Sequence, residues 1–353
     1  MQLIPAQLVL ETGETFAGFS PDSQKNTSFG EVVFNTGMVG YMESLTDPSY
    51  AGQILTFTYP LIGNYGVANS AAWESARPQV SGVVLSELAP FHSHYTAESS
   101  LEDWLIAQHI PFIKGVDTRA LTRRLRTLGV IPGAITHGKK PDGFENFSDT
   151  HWVKKVAVKE PVIYGSGSKK VIVIDCGVKE NIIRSLLQYP ITIKRVPPDY
   201  DFTNESFDAV FVSNGPGDPV HCIETIQIIQ KVFAQKKPVF GICLGTQLMA
   251  LAIGAKTYKL PFGHRSHNQP CLETASGRCY LTSQNHSYAV DETTLPSDWR
   301  VNFRNLNDQS VEGIEHKTLP FFSVQFHPEA APGPLDTMWL FEKFYDLIKH
   351  SKG

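Results

Sequence analysis

Pro238-Val239-Phe240-Gly241-Ile242-Cys243-Leu244-Gly245-Thr246-Gln247 is the stretch on which the reading of this chain turns. An apolar strand runs into Gly-x-Cys-x-Gly, and a helical pattern from Leu244 to Ala255 begins at once. That is the strand–turn–helix of a nucleophile elbow with cysteine at its tip. Glycines on both sides admit a turn that a side chain would obstruct, and a merely structural cysteine needs no such turn. The turn is expected to lift the sulfur into the open. It also places the sulfur at a helix N-terminus, where free N–H groups and the dipole favour thiolate over thiol.

A nucleophilic cysteine needs a base within reach and a group behind that base to orient it. His327-Pro328-Glu329 follows the apolar strand Phe321 to Phe326. Residues two apart in extended chain point to the same side, so Glu329 can lie beside His327, and Pro328 restricts the backbone between them. Cys243, His327 and Glu329 are therefore the expected catalytic set. Val212-Ser213-Asn214-Gly215-Pro216-Gly217-Asp218-Pro219 follows another predicted strand and suits close backbone approach. The N–H groups of Gly215 and Leu244 are the candidate donors to an oxyanion.

Around the elbow, strands and helices alternate: Val171 to Asp175, Lys179 to Gln188, Thr192 to Val196, Ala209 to Ser213, His221 to Ala234, Pro238 to Cys243. Such alternation predicts a mostly parallel sheet flanked by helices. Strand-like segments follow at Arg278 to Gln284, Arg300 to Asn305, Val311 to Glu315 and Phe321 to Phe326, with a final helix from about Asp336 to Lys349. Residues 151–170 end in Gly165-Ser166-Gly167-Ser168 and read as a linker, giving domains 1–150 and 171–353. The first domain reads as strand-rich α+β, with a hairpin at Leu8 to Phe16, strands at Glu31 to Phe34, Gln53 to Tyr59 and Val80 to Leu88, and helices at Ser99 to Ile110 and Val116 to Leu128. The fold class is α/β, preceded by this smaller α+β domain.

The bulk of the chain narrows the field. At 353 residues there is room for two cores, and 42% hydrophobic with 19% charged residues is ordinary for a globular protein. A net charge of −4 gives no reason to expect nucleic acid or an anionic membrane as partner. No apolar run approaches the ~20 residues of a membrane span, and the N-terminus lacks the pattern of a secretory signal. Five scattered cysteines without a Cys-x-x-Cys pair argue against a disulfide framework and a structural zinc site. A reducing cytoplasm suits an unprotected nucleophilic thiol.

Taken together, Gly-Ile-Cys-Leu-Gly-x-Gln, Ser-Asn-Gly-Pro-Gly-Asp-Pro and Phe-His-Pro-Glu resemble the class I (triad-type) glutamine amidotransferases. Phe34 to Tyr41, Leu45 to Tyr50, Tyr59 to Gly66 and Val116 to Arg119 resemble the N-terminal domain of the carbamoyl-phosphate synthase small chain. The resemblance spans nearly the whole chain. It implies hydrolysis of L-glutamine to glutamate and ammonia through a Cys243 thioester. The ammonia would pass to a large chain that makes carbamoyl phosphate from bicarbonate and ATP, for arginine or pyrimidine synthesis. No cofactor is expected on this chain, which lacks a Gly-x-x-x-x-Gly-Lys-Ser/Thr loop, and MgATP is expected on the large chain. The resemblance places glutamine contacts at Ser49, Gly215, Gly217, Leu244, Gln247, Asn285, Ser287 and Tyr288.

The chain departs from the family pattern in three places. Ser287-Tyr288 stands where Gly-Phe is usual, Thr246 where many relatives have His, and His267 and Gln269 where Gly and His are usual. His264 and His267, with no third ligand nearby in sequence, are not expected to bind metal. A cysteine protease with the same elbow would need no glutamine pocket, and an amidotransferase of another pathway would leave residues 1–150 without a purpose. A non-catalytic docking subunit would not need Cys243, His327 and Glu329 together.

Overall fold

Apolar side chains at successive positions of the strands Lys169–Ile174, Ala209–Val212 and Val239–Ile242 are buried on both faces of one sheet, the mark of a parallel array covered on two sides. In the computed structural model, which describes residues 2–144, 147 and 150–350, this sheet has ten strands. Its centre runs Ile191–Val196, Lys169–Ile174, Ala209–Val212, Val239–Ile242 and Phe321–Val324, all parallel. The alternation along the strands sorts the core into two layers. Ile172, Ile174, Val210, Val212 and Val239 pack with Ile228, Ile229 and Val232 of the helix Ile223–Ala234 and with Leu248 and Met249 of the helix Leu244–Ala252. Val171, Val173, Phe211, Phe240 and Ile242 pack on the other face with Ile182, Ile183 and Leu186 of Glu180–Leu186 and with Phe341 and Phe344 of the C-terminal helix Trp339–His350.

Beyond Phe321–Val324 the sheet continues antiparallel through Val311–His316, Trp299–Asn305, Lys256–Glu273 and Cys279–Asp291. The strand Lys256–Glu273 does not appear in the sequence reading. It carries glycine, proline and a run of polar residues, which look like loop, yet His264, Arg265 and Ser266 are buried in it. The pairing with Cys279–Asp291 slips between Lys259 and His264, where Gly263 takes φ +67°.

The chain divides into units of residues 1–150 and 151–353. Residues 151–170, expected as a linker, fall with the second unit and are not bare connection. They hold the short helix Trp152–Val156 and the strand Val162–Tyr164, which pairs antiparallel with Ile191–Val196 as the sheet edge. The Gly/Ser run 165–168 crosses the start of Ile191–Val196 to join that edge strand to Lys169–Ile174, and a side chain on Gly167 would collide with the Pro190 carbonyl. Val162-Ile163-Tyr164 are strand-forming side chains, but three residues ahead of a Gly/Ser run are too short a stretch to give a clear strand signal.

The first unit is built on a seven-stranded mixed sheet in the order Phe112–Ile113, Gly82–Val84, Gln53–Phe57, Ser28–Asn35, Ile131–Thr136, Leu3–Leu10, Thr15–Pro21. The first two strands of the chain form the expected hairpin, turning through Gly13 at φ +89°. The helix Leu101–Ala107 starts at Ser100, whose hydroxyl accepts from the Asp103 N–H, and Thr118–Leu128 starts at Asp117, whose carboxylate accepts from the Ala120 N–H.

Phe240 is fully buried, stacks on Phe322 at 4.4 Å between ring centroids and meets Phe211 edge-on at 5.2 Å. Phe240→Ala is expected to destabilise the protein by about 3–5 kcal/mol, read as a lowered denaturant midpoint. A change below ~1 kcal/mol would mean that this face of the sheet is not the packed core described.

Candidate active site

The backbone at Cys243 takes φ 54°, ψ −105°, a conformation unusual for a residue with a side chain. It joins the end of Val239–Ile242 to the first turn of Leu244–Ala252. The turn closes because nothing fills the space beside it. A Cβ on Gly245 would collide with the Val212 carbonyl oxygen, and one on Gly241 would sit 2.6 Å from Met249 Sδ. The Cys243 N–H donates to Val324 O at 2.9 Å, fixing the elbow to the strand that leads to His327.

The sulfur does not stand in the open as expected. Cys243 is only 2% exposed, and its thiol faces Asn285 O at 3.6 Å. A glycine-flanked turn sets where the side chain points, but not what lies over it. Here the backbone of Cys279–Asp291, far off in sequence, lies over it.

His327 and Glu329 meet as the sequence spacing predicts, with Nδ1 2.6 Å from Oε1 and both residues buried. The His327 N–H donates to Ser283 O at 2.8 Å, which holds this segment against the strand Cys279–Asp291. Burial alone would lower the His327 pKa, but the charge of Glu329, then Cys243 close beside the ring, push it up to about 10. His327 Nε2 makes no other hydrogen bond of ordinary geometry.

Lys179 is a residue the sequence reading missed. Its ammonium lies 3.0 Å from Glu329 Oε1 and donates to Ala330 O at 2.5 Å, and it is 3% exposed. Asn181 Nδ2 donates to Glu329 O at 2.5 Å. Burial would raise the Glu329 pKa, yet Lys179 first and His327 second hold it at about 2. The available signal was positional. Lys179 follows the strand Lys169–Ile174 at the carboxyl edge of a parallel sheet, where sites of α/β folds gather. Its charge read as an ordinary start of a helix.

The loop 213–219 lies against the elbow. A Cβ on Gly215 would strike the Cys176 carbonyl and sit 2.9 Å from Leu244 Cδ2, so the glycine loop packs against the first residue of the elbow helix. Gly217 takes φ +91° with Trp152 3.5 Å from where a Cβ would lie. Gln247 is buried, and its amide donates to Tyr288 O at 3.0 Å and Gln325 Oε1 at 3.2 Å. The two hydroxyls that mark the departure from Gly-Phe both find partners. Ser287 Oγ accepts from Arg265 at 2.5 Å, and the Tyr288 hydroxyl donates to Asp218 Oδ2 at 3.0 Å. The latter bond joins the strand holding Asn285 to the loop holding Gly215 and Gly217. Ser49 belongs to the first unit, in the turn Pro48–Tyr50, where its N–H donates to Asp47 Oδ1 at 2.8 Å. Thr246 has a local task, donating to Val324 O at 2.6 Å.

A Glu329 carboxyl held near 2 against an ordinary 4.5 contributes stability that is present above pH 4.5 and lost as the pH falls through about 2. Lys179→Met leaves that carboxylate without its main cation and is expected to cost about 3–5 kcal/mol at neutral pH. The gap to the wild type should narrow as the pH drops below 4.5, because the variant's carboxyl protonates earlier. Denaturant midpoints measured across pH 3–7 test this, and a gap independent of pH would break the assignment.

Residues 172–347 match the family model of class-I glutamine amidotransferases, and residues 8–135 match that of the carbamoyl-phosphate synthase small chain, CPSase domain. Three fungal relatives are named carbamoyl phosphate synthase arginine-specific small chain. That of Aspergillus oryzae is 48% identical over 98% of this chain and 81% of its own length. That of Aspergillus niger is 48% identical over 97% and 80%, and that of Neurospora crassa 47% over 98% and 80%. With both units matched in order, and with likeness of this degree over nearly the full length, the chain belongs to the carbamoyl phosphate synthase small-chain family and carries a class-I glutamine amidotransferase domain.

Proposed function

We propose that this chain is the glutamine-hydrolysing subunit of a carbamoyl phosphate synthase and that Cys243, His327 and Glu329 carry out the hydrolysis. The observation that carries the reading is the buried His327–Glu329 pair at 2.6 Å with Cys243 acting on the same ring. Cys243 Sγ attacks the side-chain amide carbon of L-glutamine, and the oxyanion that forms is met by the N–H groups of Gly215 and Leu244. His327 takes the thiol proton and delivers it to the leaving nitrogen. The charge of Glu329 raises the proton affinity of the ring, which favours its taking the thiol proton. Ammonia departs, a thioester remains, and water activated through His327 releases glutamate. Glu329 stays ionised throughout and orients the ring, as its pKa of about 2 requires.

Ser49, Gly215, Gly217, Leu244, Gln247, Asn285, Ser287 and Tyr288 are assigned to the substrate. Gln247, Ser287 and Tyr288 contribute through positions already braced by their own hydrogen bonds. With the thiol 2% exposed, entry of glutamine requires the backbone at Asn285 to give way.

Free ammonia in water is largely protonated and unreactive as a nucleophile, which favours direct transfer to an acceptor site. We assign that site to a large chain that binds MgATP and bicarbonate, with no cofactor on the present chain. The names of the fungal relatives favour arginine synthesis over pyrimidine synthesis. All five cysteines are free thiols, which suits a reducing compartment such as the cytoplasm. Among the described residues no helix is long and apolar enough to cross a membrane.

Cys243→Ser in the complex with the large chain is expected to lower glutamine-dependent carbamoyl phosphate synthesis by roughly 10³-fold or more while synthesis from added ammonia persists. Retention of glutamine-dependent turnover, or equal loss of both activities, would overturn the proposal.

A further inference from the structure

Three buried side chains that the reaction above does not use converge behind the segment carrying Asn285. His264 and His286 face each other as a cross-strand pair, their rings 4.9 Å apart between centroids. Glu312 reaches them from the strand Val311–His316 and has no solvent exposure. One ligand atom from each lies within 4.8 Å of the others. His267, the partner weighed for His264 in the sequence, is not in this group.

The hydrogen bonds around the cluster fix which atoms look inward. His264 Nε2 lies 2.7 Å from Asp308 Oδ2 and Nδ1 lies 3.4 Å from Glu312 Oε1; burial disfavours a charged ring, but the two carboxylates outweigh it and push its pKa up to about 9, so Nδ1 is a place for either a second proton or a metal ion. His286 Nδ1 lies 2.8 Å from Tyr288 O, so its N–H is spent there and the Nε2 lone pair faces Gln284 Oε1 at 3.2 Å and Glu312 Oε1 at 3.9 Å. The Gln284 amide nitrogen is turned away, donating towards Thr282 Oγ1 and Cys271 Sγ, so its oxygen is the end that faces His286. His264 Nδ1 and Glu312 Oε2 make no hydrogen bond of ordinary geometry. Two imidazole nitrogens, the Gln284 amide and a carboxylate thus point at one spot, where the Asn305 amide donates to Glu312 Oε1 at 3.1 Å while His264 Nδ1 and Glu312 Oε2 are left without a hydrogen bond. Buried acceptors so arranged need a cation.

We propose that His264 Nδ1, His286 Nε2 and Glu312 bind a divalent transition-metal ion, with zinc as the best fit, and that Gln284 Oε1 or a water completes four ligands. Zinc bonds of about 2.0–2.2 Å place tetrahedral ligand atoms roughly 3.3–3.5 Å apart, against separations of 3.4 Å and 3.9 Å to Glu312 and a spread of up to 4.8 Å over the three, so the ion would draw the ligands inward. Asp308 behind one imidazole and the Tyr288 carbonyl behind the other are the outer partners that orient histidine ligands in such sites. A single proton on His264 would bridge only one of these contacts and leave His286 Nε2 facing oxygen. The ion would be structural. It would clamp strands that pack antiparallel and so hold in place the stretch Gln284 to Tyr288 that covers Cys243 and receives Gln247.

The test uses the full-length chain carrying Cys243→Ser, so that the elbow thiol cannot take the ion. After incubation with zinc and removal of free metal, elemental analysis is expected to find about one zinc per chain. Cobalt substitution should give the intense visible bands of a tetrahedral site, and X-ray absorption should show two imidazoles on the metal. Adding Glu312→Gln, which changes charge but hardly volume, should weaken retention beyond 10-fold, and Asp308→Asn should do so by roughly 10–100-fold, with circular dichroism confirming the fold. A folded Cys243→Ser protein that retains no zinc or cobalt would overturn the site. So would retention that Glu312→Gln leaves unchanged.

Discussion

A carboxylate with no access to water must have its charge answered inside the protein, and at Glu329 that requirement organises the second unit. Stripping a carboxylate of solvent costs several kcal/mol, recovered only through close cations and hydrogen bonds. Lys179 and His327 supply the cations at 3.0 Å and 2.6 Å. Lys179 comes from the end of one parallel strand and His327 from just beyond another, while the Cys243 N–H is tied to the latter strand at Val324. The parallel order of the sheet brings these strand ends to one edge, and the buried charge holds them in register there. The same carboxylate raises the proton affinity of the His327 imidazole, so packing and acid–base behaviour have a common origin.

The parts of this arrangement that depend on local rules were readable in the residues. Gly241 and Gly245 announce a turn because only hydrogen fits beside Met249 and the Val212 carbonyl, and His327 and Glu329 sit two apart in extended chain. The alternating strands and helices from Val171 follow from apolar runs buried on both faces. What was not readable depends on distant segments. The polar strand Lys256–Glu273 looks like loop because groups that meet it come from elsewhere, Asp308 against the His264 ring and Ser287 against the Arg265 guanidinium. Lys179 looks like an ordinary helix start until Glu329 is placed beside it. The edge strand Val162–Tyr164 is only three residues long and runs straight into Gly165-Ser166-Gly167-Ser168, so it does not stand out from a linker.

The Ser287–Tyr288 pair illustrates how a departure from a family pattern can be absorbed. Each added hydroxyl would be costly if buried without a partner. Arg265 takes one and Asp218 the other, and the second of these bonds reaches across to the glycine loop. The substitution thus adds a tie between two stretches of the site.

The burial of Cys243 has a chemical consequence outside catalysis. Peroxide and electrophiles attack cysteine in proportion to thiolate character and access. With Asn285 lying over its sulfur, the elbow residue is shielded whenever the site is closed, whereas Cys279 is exposed and free. Oxidative damage in the resting protein therefore falls first on a thiol with no part in the chemistry. The elbow sulfur becomes vulnerable in the intervals when its cover lifts to admit a small polar molecule, so its rate of inactivation by oxidants reports how often the site opens.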